Sequence, residues 1–284
     1  MANGNTPLFE RFLAPVFSQF IDREALLAYS RRIDWDLACD RMQDPSLVYP
    51  NYYRNQNFHG IQGGYLTSDA AVTYDPITQY VLPPNETWVR RSLIDAVQCK
   101  PRRILDLGCG TGTSTRMLKR TFPEAEVIGL DLSPHMLVVA ADQAQKATLD
   151  IQWKHALAED THLPSNAIDL ITINLLFHET PPDIAQRILR ECFRLLTTGG
   201  EVLVLDGNQD VMRQLPWLMD IFEEPYIHTY AEASIDAWMG AAGFDAVRTQ
   251  TVWWIHQMTR GVKPIVGQKP IWSVGGAHAV AVGC

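Results

Sequence analysis

Apolar positions change their rhythm near residue 100. Before it, LFERFLAPVFSQFI and REALLAYSRRIDWDLA space apolar side chains three and four apart, which predicts helix over 8–48 with an interruption at Pro15. Residues 49–84, YPNYYRNQNFHGIQGGYLTSDAAVTYDPITQYVLPP, lose that period and are rich in aromatics, Gly, Asn and Pro. They read as a long loop, and loops of such length carry function or move.

Beyond residue 100 short apolar runs alternate with amphipathic stretches, the pattern of stacked βα units on a parallel sheet. Strands are predicted at 102–108, 126–131, 151–155, 167–174 and 201–206. Helices are predicted at 112–122, at 133–146 with Ser133 as N-cap and Pro134 first in the helix, and at 182–196 closed by Gly199 and Gly200. Residues 208–230 form an irregular aromatic insert, 231–244 a further helix, and 245–258 two strands or one bent hairpin with Trp253, Trp254 and His256 alternating along it. The tail from Gly261 reads as loop.

Composition narrows the classes. The net charge of −8, from 24 basic against 32 acidic residues with no long basic run, argues against a nucleic-acid partner. No stretch approaches the roughly 20 apolar residues of a membrane span, and the N-terminus lacks the charged and apolar regions of a secretory signal. The cysteines, Cys39, Cys99, Cys109, Cys192 and Cys284, are scattered, odd in number and free of CxxC pairs. A cytoplasmic protein without disulfides or zinc is expected.

The densest chemistry is ILDLGCGTGTST, residues 104–115. Gly108, Gly110 and Gly112 follow a strand and precede a helix, so backbone can approach a ligand closely and helix N–H groups can face an anion. Dinucleotide enzymes use a close variant of that loop. Asp106, just before the first glycine, would repel a pyrophosphate but suits a ligand with an ammonium group. Asp131 ends the second strand, where a carboxylate accepts both ribose hydroxyls. In ALAEDTHLP (156–164) either Glu159 or Asp160 can accept from an adenine amino group, with Leu132, Met136 and Leu163 about the ring. Cys109 reads as a small residue fitted to a tight loop.

Taken in order, LDLGCGTG, IGLDLSPHML, AEDTHLP, AIDLITINLLFHE and LLTTGGEVLVLD resemble a class I S-adenosylmethionine-dependent methyltransferase of the small-molecule type, over roughly residues 100–258. The resemblance implies an α/β fold, a doubly wound seven-stranded Rossmann-like sheet of order 3-2-1-4-5-7-6 with its last strand antiparallel. It implies that the Gly108–Gly112 loop holds the methionine part of S-adenosyl-L-methionine, Asp131 the ribose and the Glu159–Asp160 region the adenine. A Gly-Asp-Ala common among relatives is replaced here by Ala158-Glu159-Asp160. Residues 1–99 then form a helical and loop extension that caps the acceptor, and 100–284 the cofactor-binding core with its insert at 208–230.

The acceptor side is read from what surrounds that core. The fourth strand ends at Asn174, so NLLFHE should edge the reaction site. His178 is either a general base or a residue that packs the turn, and Glu179 reads as a helix-start acid. His59 and Tyr65, with Tyr52, Tyr53 and the glycines at 60, 63 and 64, form either a lid or a packed strip. Trp217 and Tyr226, with Met219, Phe222 and His228, suggest an apolar acceptor pocket or simply core. Asp206 and Asn208 raise a metal site, but Asn174 stands where a second carboxylate would be needed, so none is predicted. The expected activity is in-line methyl transfer to a small apolar or aromatic metabolite; an NAD(P)-binding oxidoreductase and a non-catalytic S-adenosylmethionine-binding protein are the rivals.

Overall fold

The computed structural model describes residues 22–265, except positions 62, 82, 83 and 223; the predicted helix over 8–21 and the tail from 266 lie outside it. Seven strands form one sheet: β1 (Arg103–Leu107), β2 (Glu126–Asp131), β3 (Gln152–His155), β4 (Ile168–Asn174), β5 (Leu196–Gly207), β6 (Asp245–Val252) and β7 (His256–Val262). Their order is β3-β2-β1-β4-β5-β7-β6, and β7 alone runs antiparallel to its neighbours.

Alternation along the strands builds two cores. In β1 and β5, Leu105, Leu107, Val202 and Val204 face one way. They bury against Ile184, Ile188 and Leu189 of α8 (Pro182–Leu195) and Ile235 and Met239 of α12 (Ile235–Ala242). Ile104, Leu203 and Leu205 face the other way, onto Val89 and Leu93 of α5 (Glu86–Asp95) and Leu118 of α6 (Thr113–Thr121). Since β1, β2 and β4 are covered on both faces, they read as nearly continuous apolar runs.

Several elements differ from the sequence reading. The segment 49–84 is largely helical, with α3 (Asn51–Arg54), a 3₁₀ turn at Phe58–Gly60 and α4 (Ser68–Val81), which continues through Pro76. Ala70, Ala71, Met136 and Val139 bury together, joining α4 to α7 (Pro134–Lys146), and this tertiary burial outweighs a composition that resembles loop. Before it, α1 (Arg23–Arg31) and α2 (Trp35–Met42) confirm the described part of the N-terminal helical pattern. Helix α5, capped by the Asn85 side chain on the N–H groups of Thr87 and Trp88, has no counterpart in the reading.

The aromatic insert resolves into α9 (Gln209–Gln214), α10 (Pro216–Phe222) and α11 (Ile227–Glu232). The helix expected over 231–244 breaks at Ala233, after which Ser234 caps α12. Strands β6 and β7 form the hairpin option, and β7 extends to Val262. Trp253 and Trp254 do not alternate on a strand. They make its turn, both with positive φ and both exposed.

Candidate functional site

A cavity opens at the carboxyl ends of the parallel strands. Its floor includes Gly108 and Gly110, with φ of +65° and +54°. At Gly108 a Cβ would meet Leu176 at 3.0 Å, whereas at Gly110 its nearest neighbour would be Tyr74 at 3.8 Å. The first glycine therefore serves close packing of the turn after β4, and the second keeps space clear.

Asp131 lines the cavity and is held by backbone. Its Oδ2 accepts from Gly110 N at 2.8 Å and its Oδ1 from Ser133 N at 2.8 Å. Burial raises its carboxyl to about 6, despite the opposing pull of these N–H donors. A ligand that donates hydroxyls would relieve that cost. Leu132 and Met136 line the adjoining wall.

Glu159 and Asp160 separate clearly. Glu159 lines the cavity, accepts from the Tyr52 hydroxyl at 2.7 Å, and leaves Oε2 buried without a partner. Asp160 is exposed and lies 3.4 Å from the His162 ring. Asn174 also lines the cavity. Its amide donates to Ser114 Oγ at 2.6 Å, a hydroxyl that also accepts from Arg90 Nη1 at 2.9 Å, and its carbonyl oxygen is left buried and unpaired.

Asp106 requires a correction. Its carboxylate accepts from Thr115 Oγ1 at 2.6 Å and Thr172 Oγ1 at 2.7 Å, is 1% exposed and does not line the cavity. Alternation turns it below the sheet end, where it ties β1 to α6 and β4. Cys109 is likewise absent from the wall: its sulfur packs behind the loop, 3.1 Å from where a Cβ on Gly129 would lie, and burial pushes its thiol well up.

At the acceptor side Glu179 lines the cavity, a role its reading as a helix-start acid missed. It accepts from the Tyr65 hydroxyl at 2.7 Å, and His59 Nε2 lies 3.1 Å from the same oxygen. His178 stands behind the wall, with Nδ1 2.7 Å from Asp206 Oδ1 and Nε2 3.8 Å from Glu179 Oε1. Asp206 is itself fixed by the N–H groups of Phe177 and Gly207. His59 Nδ1 lies 2.8 Å from Glu224 Oε1, a buried carboxylate that no local sequence signal marks.

Tyr65 forms part of the cavity wall with Tyr52, Tyr53, Phe58 and Tyr74 of the N-terminal segment. Tyr226 does not; it packs against that aromatic group and donates to Tyr52 O at 3.2 Å. Trp217 is corrected: it is 59% exposed and outside the cavity. Helix α10 buries Met219, and two positions earlier lies about 200° around the helix, facing water.

The fold and this crevice define a nucleotide-type cofactor site, and comparison with known proteins states which kind. A family model described as a methyltransferase domain matches residues 104–200. The demethylmenaquinone methyltransferase of Thermus thermophilus is 30% identical over 234 residues, spanning 72% of this chain and 99% of that protein. The ubiquinone/menaquinone biosynthesis C-methyltransferase of Vibrio cholerae is 36% identical over 138 residues, 47% of this chain and 52% of that protein. Among solved structures, phosphoethanolamine N-methyltransferase 2 of Haemonchus contortus with S-adenosyl-L-methionine aligns with a TM-score of 0.56 at 14% identity, over 78% of this chain and 62% of that one. Human N-acetylserotonin methyltransferase with the same cofactor aligns with a TM-score of 0.54 at 16% identity, over 71% and 58%. At those identities the structural likeness concerns the fold alone.

The chain belongs to the class I S-adenosylmethionine-dependent methyltransferases that act on small molecules. It is an enzyme that uses S-adenosyl-L-methionine, and the nicotinamide and non-catalytic alternatives find no support in these matches. The crevice fits that cofactor: it offers an open glycine loop, an oriented carboxylate at Asp131, and two unpaired buried acceptors at Glu159 and Asn174. Among the described residues no helix is long and apolar enough to cross a membrane.

Proposed function

We propose that the enzyme methylates a hydroxylated aromatic ring of the quinol type. Glu179 carries the reading: a carboxylate on the cavity wall facing the aromatic residues of the N-terminal segment, flanked by an imidazole and a phenol. The names of the Thermus and Vibrio relatives support a quinone-type acceptor.

S-adenosylmethionine supplies an electrophilic methyl group on a sulfonium with a neutral leaving group. The chain's part is to place the acceptor, exclude water and manage one proton. Asp131 takes the ribose hydroxyls and Glu159 the adenine amino group, while the Asn174 carbonyl oxygen, rather than Asp106, takes the ammonium. Tyr53, Phe58 and Tyr65 supply flat apolar faces for an aromatic ring.

Methylation of a ring carbon or its hydroxyl oxygen needs electron density that a phenolate has and a phenol lacks. Glu179 accepts the hydroxyl proton. Burial would lower the His178 pKa, but Asp206 and Glu179 hold it at about 9, so this imidazole rests protonated near neutrality. From behind the wall, 3.8 Å from Glu179 Oε1, His178 therefore favours negative charge at the acceptor end, and the base role falls to Glu179.

Purified enzyme given methyl-labelled S-adenosylmethionine and a short-chain demethylated naphthoquinol should yield a labelled quinol by mass spectrometry. Glu179→Gln should lower kcat about 100-fold or more, with S-adenosylhomocysteine affinity unchanged by calorimetry. Transfer to simple amines with none to quinols would overturn the reading.

A further inference from the structure

We propose that His59, His178 and Glu179 form a binding site for one divalent transition-metal ion at the acceptor end of the cavity. One ligand atom from each lies within 4.8 Å of the others. Both Nε2 atoms converge on a single oxygen, Glu179 Oε1, at 3.1 and 3.8 Å. Ligands bound at about 2.1 Å around one ion stand roughly 3 to 3.4 Å apart; the His59–Glu179 pair already meets that spacing, and His178 has to draw in toward it.

The surroundings separate this cluster from a chance meeting of polar groups. Metal-binding histidines give their second nitrogen to a carboxylate, which fixes the ring and raises its basicity. Here both do so: His59 Nδ1 faces Glu224 Oε1 at 2.8 Å, and His178 Nδ1 faces Asp206 Oδ1 at 2.7 Å. Both carboxylate side chains are 0% exposed. Each is anchored by backbone, Glu224 by His59 N at 2.6 Å and Asp206 by Phe177 N at 2.8 Å. Glu224 Oε2 is buried with no partner. His59 holds a left-handed backbone, φ 50° and ψ 35°, strain of the kind that persists at functional sites.

Two imidazoles and one carboxylate suit Zn²⁺, Mn²⁺, Fe²⁺ or Co²⁺ rather than Mg²⁺ or Ca²⁺, and three protein ligands leave coordination positions open. Glu179 lines the cavity, so an ion held there would stand at the cavity wall, within reach of an acceptor. The ligand class is an oxygen donor such as a ring hydroxyl. This assignment rests on reading the cavity as the acceptor site. In the metal-bound state the ion replaces the proton at His178 Nε2 and takes over its support of negative charge, while Glu179 ligates through Oε1 and keeps its second oxygen for the acceptor's proton.

The test uses the full-length enzyme, stripped with chelator and titrated with Zn²⁺ alone by calorimetry and with Co²⁺ alone by visible absorption. One ion per chain is expected, with tetrahedral or five-coordinate cobalt bands. His59→Ala and His178→Ala should each weaken Zn²⁺ at least 100-fold while S-adenosylhomocysteine still binds. Should either variant fail to bind S-adenosylhomocysteine, Glu224→Gln carries the test through a weakening of about 10-fold or more. No saturable ion, or equal affinity in all variants, would overturn the site. Full-rate quinol methylation by stripped enzyme with no saturable ion sinks the metal and leaves the methylation reading; a bound ion with no quinol methylated does the reverse.

Discussion

Two imidazoles, at His59 and His178, sit among three carboxylates, and this has a consequence for folding as well as for chemistry. Burial opposes their charge, but Glu224 and Glu179 hold His59 at about 10, and Asp206 and Glu179 hold His178 at about 9. Both values exceed the unfolded one of about 6.5, so the native state binds protons more tightly. The stability they contribute is complete below about pH 6.5 and is lost as pH rises through 9 to 10. For the largely buried His178 this is on the order of 2 to 3 kcal/mol. The thermal midpoint, followed by fluorescence with chelator present, should fall across about pH 7 to 10, and Asp206→Asn should flatten that fall. At this scale the sequence pointed to His59, Tyr65 and His178, because Tyr and His in a glycine-marked strip and beside a strand end are unusual chemistry. Glu224 was invisible, since only tertiary folding brings it to a histidine so distant in sequence.

At the scale of elements, the glycine loop is locked to the sheet by one aromatic ring. A Cβ on Gly112 would stand 2.6 Å from the Trp153 ring and 3.0 Å from the Ala140 methyl, at a φ of +76°. Gly112→Ala should therefore cost roughly 2 to 4 kcal/mol from overpacking and backbone strain together. Urea denaturation would show it as a lower midpoint at unchanged slope. Strands β1, β2 and β4 were legible as apolar runs, and helices α6, α7 and α8 because an apolar period meets a cap, proline or glycine. The stop expected for α8 at Gly199 and Gly200 instead lies inside β5, which begins at Leu196 directly after the helix. Helix α4 was not: its small apolar side chains signal weakly among Gly, Asn and Pro, and their partners Met136 and Val139 lie far along the chain. The Trp253–Trp254 turn escaped for another reason. Hairpin turns with left-handed residues favour Asn and Gly, and two tryptophans with positive φ violate the local rule the reading relied on.

For the whole molecule, strand order and the side of the sheet that binds followed from motif order, because a parallel sheet gathers its loops at one edge. The wall supplied by the N-terminal segment did not follow in detail. Its contacts span the entire crevice: Tyr52 reaches Glu159 at one end, while His59 and Tyr65 reach Glu179 at the other. A strip that touches both ends has to shift if a ligand is to leave past it. Turnover by that route then resembles a room whose door must reopen after each reaction before new reactants enter. Rapid-quench measurement should accordingly show a burst of methylated product approaching one per enzyme, followed by a slower steady rate. Tyr52→Phe, which frees one end of the strip, should quicken the steady phase more than the burst.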